Sequence, residues 1–386
     1  MKNRVAFLCL ALMLAGGCDK DEEVDPPAEL VEIEPGLRVQ RAWATNIGDG
    51  GEHMRLALGV AVDGETIYAA SRKGVVQAIS ASNGKTRWRA DTKLALAAGP
   101  GSGNGLVVLG TSDGEALALD AADGRQRWKV KLSGEVLSAP LVAGDRVVVR
   151  TLDGRMRALS AADGRELWLV EETVPRLSLR GAAAPVVSGD IVICGFDTGR
   201  LLAVSLSNGE TLWQAQVSTP SGRTELERLA DIDGAVRIAG DDVYAVGYQG
   251  RVVMLALDSG RVWWGRDLSS YRGIALDDDQ IYVSASDGTV VALKRQDGSI
   301  VWQQEGLHQR GISTPAVDGS AVVVGDFDGY LHWLDRDSGR FLARERPGDT
   351  PIGAPVAAAG RIFALDVDGK LVAYRSAGAT TAAGGE

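Results

Sequence analysis

Side chains able to do covalent or metal chemistry are sparse in this chain of 386 residues, which has three His (His53, His308, His332) and three Cys (Cys9, Cys18, Cys194). No histidine stands near a plausible nucleophile in sequence, and no two cysteines are adjacent, so there is little material for a transition-metal centre or an imidazole-activated nucleophile. No Gly-x-Ser-x-Gly occurs. The run Gly99-Pro100-Gly101-Ser102-Gly103-Asn104-Gly105 has the glycine content of a phosphate cradle. Such a cradle needs a helix behind it, and none follows, so a turn between strands is expected there. Asp277-Asp278-Asp279 falls where other segments carry Gly-Asp turns and reads as a solvated hairpin. Cys194 closes the strand-like run Ile191-Val192-Ile193 and reads as a buried structural thiol.

The remaining thiol sits in a different context. Met1-Lys2-Asn3-Arg4 is basic, and the eleven residues Val5 to Ala15 are apolar but too few to span about 30 Å of hydrocarbon. Ala15-Gly16-Gly17 and then Cys18 follow. This is the layout of a secretory signal peptide over residues 1–17. The cysteine placed directly after small residues resembles a bacterial lipobox, in which that thiol is acylated and becomes the new N-terminus. A plain signal peptide with an incidental cysteine is the alternative. Asp19 follows, a residue that in many enterobacteria favours the inner membrane, so that address stays open. Residues 18–36 are acidic and proline-bearing without periodicity, and are expected to form a solvated tether reaching roughly 20–25 Å as a coil.

The rest must be read as the scaffold that positions any site. With 45% hydrophobic residues the chain is not disordered, and its formal net charge of −10 disfavours nucleic acid and anionic lipid headgroups as direct partners. A repeat with a period near 40 runs through nearly all of it. Turn glycines recur at Gly74, Gly114, Gly154, Gly199, Gly250, Gly288, Gly329 and Gly369, and in six consecutive units a Trp follows fourteen residues later: Trp88, Trp128, Trp168, Trp213, Trp264 and Trp302. The seventh unit has Ala343 at that place, and the eighth ends after Tyr374. Each unit holds four short alternating runs separated by Gly- and Asp-bearing turns, the signature of a four-stranded propeller blade. The predicted fold is all-β, an eight-bladed β-propeller of antiparallel blades over residues 37–376. The N-terminal strand around Val39–Trp43 should complete the last blade and hide two sheet edges. A small, polar tail over 377–386 is expected to be disordered.

Extra length falls in two adjacent units. The interval from Trp to the next turn glycine is 31 residues after Trp168 and 37 after Trp213, against 24–27 elsewhere. Insertions at the same place in neighbouring repeats should lie side by side on one face, and insertions on a rigid scaffold are where binding usually resides. The first carries Leu177, Leu179 and Arg180; the second carries Glu225, Glu227, Asp231 and Asp233. In an extended segment Leu177 and Leu179 point the same way, giving an apolar pair beside a guanidinium, the composition of an interface anchor. The alternative is that both leucines are buried and the insertions only pack on each other.

The repeat text Leu119-Asp120-Ala121-Ala122-Asp123-Gly124-Arg125-Gln126-Arg127-Trp128 resembles the propeller repeat of quinoproteins that bind pyrroloquinoline quinone. Two stretches narrow the match. They are Pro175-Arg176-Leu177-Ser178-Leu179-Arg180-Gly181 followed by Ala184-Pro185, and the run from Gly222 through Glu225, Glu227 and Arg228 to Asp233. With the lipobox and the incomplete last blade, they are similar to the BamB family, the lipoproteins of the outer-membrane β-barrel assembly machinery.

That resemblance implies a non-catalytic scaffold without a cofactor. Such a scaffold is held at the outer membrane by lipid on Cys18, faces the periplasm, and is monomeric within its hetero-complex. It implies docking on periplasmic domains of BamA through Leu177, Leu179 and Arg180, with Asp231 and Asp233 in support or holding the loop through Arg180 or Arg228. A further hypothesis is strand pairing of an exposed blade edge with unfolded outer-membrane proteins, although the sequence does not identify such an edge. Two other classes stay open: a quinoprotein dehydrogenase, whose adjacent cysteines and calcium-site pattern are not found in this sequence, and a lipid-anchored propeller for another envelope partner.

Overall fold

The computed structural model describes residues 25–48 and 56–378. The signal peptide, Cys18, Asp19 and the end of the tail lie outside the described residues.

Strands alternate with tight turns because short apolar runs, continuous in the inner strands that are covered on both faces and closer to alternating in the outermost ones, are separated by Gly and Asp. In the third blade Leu141–Ala143, Arg146–Arg150, Arg155–Ser160 and Glu166–Glu171 pair in order, antiparallel throughout. Seven further sheets repeat the pattern, giving eight blades. A two-residue strand, Ala57–Leu58, runs parallel to the innermost strand of blade two. The core is not one mass but a series of layers between blades: Val108, Ala118 and Trp128 of blade two pack with Val147, Val149 and Leu159 of blade three, and the other interfaces follow suit.

The repeated tryptophans bind neighbouring blades together. Each indole N–H donates to a backbone carbonyl in the hairpin of the next blade, from Trp88 to Ala121 (2.9 Å) through Trp302 to Arg336 (2.8 Å). The ring lies on that hairpin's glycine, so tightly that a Cβ on Gly339 would meet the Trp302 ring at 2.4 Å. Trp43 does the same to Ala81 (3.1 Å), which makes the N-terminal strand a full member of the series.

Closure follows the sequence reading. Leu37–Asn46 pairs antiparallel with Lys370–Gly378 as the outer strand of blade eight, Trp43 opposite Ala373. The C-terminal strand runs two residues past the expected boundary at 376, because Ala377 and Gly378 find partners in Arg38 and Leu37. This junction also accounts for Ala343. Blade eight is made from the two ends of the chain, so its outer strands share no hairpin on which an indole from blade seven could rest. Trp333, Tyr374 and Leu37 fill that layer instead, the two rings edge-on at 5.6 Å.

Two expectations need correction. Gly99–Gly103 is not a turn. It belongs to the innermost strand of blade two, Leu96–Gly103, and only Asn104-Gly105 turn. Near the axis inner strands crowd, and a Cβ on Gly101 would meet the Pro140 carbonyl oxygen at 1.8 Å. The second correction concerns the tether. Residues 25–36 do not run free but lie along blade seven. The Ala28 N–H donates to the His308 carbonyl (2.9 Å), Arg344 donates to the Val31 carbonyl (2.9 Å), and the Gly36 N–H donates to the Leu342 carbonyl (2.8 Å). Leu30 packs onto the layer between blades six and seven. Scattered carbonyls and one leucine, rather than any periodic pattern, hold this segment.

Candidate partner-binding site

Both insertions connect the outer strand of one blade to the inner strand of the next, residues 172–185 between blades three and four and 217–236 between four and five. Antiparallel alternation puts such connections on the face that also carries the Asp-Gly turns between second and third strands. The loops are neighbours there and touch. The Leu179 N–H donates to the Asp231 carboxylate, and Asp233 lies so close over Gly181 that a Cβ there would meet its Oδ2 at 2.5 Å.

The return limb of the second loop dives into the body. Asp231 and Ile232 are fully buried, the Asp231 carbonyl accepts from the Tyr248 N–H (2.8 Å), and Ile232 joins the layer between blades four and five. Below them Arg150, also fully buried, donates to Asp197 and stacks on Phe196 at 4.7 Å. Burial pushes the Asp231 carboxyl up to about 7; the Leu179 N–H and Arg150 oppose this, and the negative charges of Asp233 and Asp197 add to it. Cys194 is fully buried in the layer between blades three and four, and burial pushes its thiol up to about 11, the state of an inert structural cysteine.

What the loops offer to solvent differs from a simple extended reading. The chain bends at Arg176-Leu177, so Leu177 is 43% exposed while Leu179, tied by its backbone to Asp231, is only partly exposed. The Arg180 guanidinium is held beside them by Glu135 at 2.7 Å, from the loop before blade three. Asp231 therefore holds the first loop through the Leu179 backbone, and Asp233 packs over Gly181. Arg180 is engaged by Glu135, and Arg228 donates to the Gly222 carbonyl (3.1 Å) within its own loop.

Three neighbours were not singled out by sequence. Glu135 sits in a loop of ordinary length and gives no signal. Val174 (37% exposed) lies near the start of the first loop. Leu226 is 64% exposed on a turn capped reciprocally: the Glu227 carboxylate accepts from the Arg223 and Thr224 N–H groups (2.6 and 3.1 Å), and Thr224 Oγ1 accepts from the Glu227 N–H (3.2 Å). Those backbone bonds hold the Glu227 carboxyl below the usual range. The pattern Thr-x-x-Glu, with a lone leucine inside it, was the available clue. Among the described residues, no three His, Cys, Asp or Glu side chains gather as a metal would require.

A closed eight-bladed propeller with apolar loop tips beside a fixed arginine on one face defines a class: a rigid wheel presenting a loop-built surface to another macromolecule. Known proteins narrow it. A family model described as outer membrane protein assembly factor BamB matches residues 40–95 and 72–304. The Pseudomonas aeruginosa outer membrane protein assembly factor BamB is 43% identical over 373 residues, 96% of this chain and 98% of that protein. The crystal structure of BamB from Moraxella catarrhalis superposes with a TM-score of 0.81 at 28% identity, covering 88% of this chain and all of that one. A europium-containing methanol dehydrogenase shares the fold alone, with a TM-score of 0.72 at 14% identity over 87% of this chain and 93% of its own. The chain belongs to the BamB family.

Proposed function

We propose that this protein is a non-catalytic scaffold of the outer-membrane β-barrel assembly complex, acting as an assembly factor that docks on periplasmic domains of BamA and aids folding and insertion of outer-membrane proteins. It takes no cofactor in this reading, and it is anchored through lipid on Cys18 in the outer membrane with its body in the periplasm. One observation carries the docking surface: two adjacent loops, tied by Leu179 and Asp231, hold Leu177 and Arg180 at the surface of a rigid ring. Leu177 supplies apolar area and Arg180 a guanidinium already oriented by Glu135, so little ordering entropy is lost on contact. Asp231 and Asp233 act from beneath by fixing the loop path. Leu179 contributes its partly exposed side chain and the backbone tie.

Crosslinking in whole membranes followed by capture of the lipidated protein tests this. BamA should be recovered, and Leu177→Ala with Arg180→Ala should weaken its capture by about 2–4 kcal/mol with the circular dichroism spectrum unchanged. Undiminished capture by the double variant would remove these residues from the interface. A quinone absorbance with dye-linked dehydrogenase activity would move the protein to the enzymes instead. Membrane fractionation of the acylated chain decides between the outer membrane and the inner-membrane address that Asp19 favours.

A further inference from the structure

The segment after the proposed anchor is docked, and its docking is specific. Asp25 accepts from His308 (2.6 Å) and from the Gln309 amide (3.2 Å). Ala28 is held on both sides of its backbone, its N–H by the His308 carbonyl (2.9 Å) and its carbonyl by Arg310 (3.1 Å). Arg310 is itself buried and locked by Asp326 (2.8 Å) and Asp328 (2.6 Å), so it is a fixed post rather than a mobile surface cation. Leu30 enters the layer between blades six and seven, and Arg344 grips the Val31 carbonyl. From His308 the segment runs along the outer strand of blade seven to Gly36, then turns back as the closing strand of blade eight.

We infer that residues 25–36 are a strap that fixes which edge of the wheel faces the bilayer: the corner between blades six and seven. The inference rests on the proposed lipid attachment at Cys18. A free tether measured from Gly36 could extend to roughly 60 Å and would leave the body free to rotate. With the strap docked, Asp25 is fixed on the body, and the seven residues from Cys18 to Val24 cannot reach beyond about 25 Å whatever path they take. A body of this size has a radius of gyration near 20 Å, so it is about 50 Å across. The corner at His308 is therefore held near the headgroups while blades two and three stand away. The loops carrying Leu177, Leu179 and Arg180 share that face but leave blades three and four, roughly a third of a turn round the ring. A partner gripping them is met from the side of the wheel, at a set angle to the membrane.

Energy transfer to vesicles tests the strap separately from the biological anchor. The chain from Cys18 onward is coupled through that thiol to a maleimide lipid in phosphatidylcholine vesicles carrying a headgroup acceptor; the buried Cys194 does not compete. A fluorescent amino acid replaces either Asp349, beside blade seven, or Asp113, in blade two, both exposed on the loop-bearing face. Transfer from position 349 should exceed that from 113 several-fold. In a chain with Ala28→Pro and Leu30→Asp the ratio should fall towards one, with an unchanged thermal transition showing an intact propeller. Leu30→Asp alone should give an intermediate ratio. Equal transfer from both positions in the unaltered strap, or a ratio indifferent to both variants, overturns the inference. Absence of native acyl chains on Cys18 would overturn the anchor reading and leave this geometric result standing.

Discussion

At the scale of single residues, the most informative group is Asp231. It is buried under the two loops and holds Leu179, yet its carboxyl titrates near 7, against an ordinary value of 3.8. A carboxyl raised on folding keeps its proton longer in the folded chain. Between about pH 4 and pH 7 the unfolded chain loses that proton first, so stability contributed by the neutral group falls as pH rises through this window and levels off above it. Asp231→Asn keeps an oxygen for the Leu179 N–H but cannot ionise. The margin by which its urea midpoint exceeds that of the unaltered protein should widen from pH 5 to pH 8. A difference between the two chains that does not change with pH would mean that Asp231 titrates elsewhere. The same residue-scale logic separates roles in the proposed docking: Leu177 and Arg180 would touch the partner, while Asp231 acts through the loop by holding the Leu179 backbone. Leu226 is the most exposed leucine of the second loop.

At the scale of elements, the indole-on-glycine contact is the unit that repeats. Trp302→Ala removes a ring only 7% exposed together with its bond to the Arg336 carbonyl, and should lower stability by about 3–5 kcal/mol. Gly339→Ala should also destabilise, by about 1–3 kcal/mol, since the new methyl meets that ring and the backbone there has φ +72. The two changes should not add. With the indole gone the steric part of the Gly339→Ala penalty vanishes and only the backbone part remains, so a double-mutant cycle should show clear coupling. Full additivity would mean that the ring does not rest on the hairpin. Restoring the series in blade seven by Ala343→Trp should destabilise the fold, because Leu37, Trp333 and Tyr374 already fill that layer and no hairpin waits to receive the ring.

At the scale of the whole molecule, the ring is joined at one place by non-covalent pairing between the chain's two ends. Deleting Leu37–Asn46 removes the outer strand of blade eight and its Trp43 contact with blade one, leaving an unpaired edge and a broken layer. That chain should elute as aggregates in size-exclusion chromatography with light scattering, and the full body should elute as a single monomeric peak. A monomer of unchanged thermal transition would show that closure is dispensable. The strap adds a second whole-molecule constraint, setting the wheel's attitude rather than its stability.

The sequence by itself determined the blade count, the strand order within each blade, the closing strand and the adjacency of the two insertions. Each of these is written locally, in a turn, an alternation or a length, and stands out because the blade pattern itself recurs eight times. The alternation could not say which way Leu177 and Leu179 face, because the loop bends there instead of extending. Nor could it reveal Glu135 beside Arg180, since no feature of that short loop departs from its neighbours. Why Ala343 interrupts the tryptophans became clear only from the way the two ends meet. The strap was hidden most completely: an acidic, proline-bearing stretch reads as solvated, and its partner His308 lies 283 positions from Asp25. Contacts made by isolated carbonyls and single side chains leave no period in a sequence, so only the closed ring, by bringing such distant groups together, could decide them.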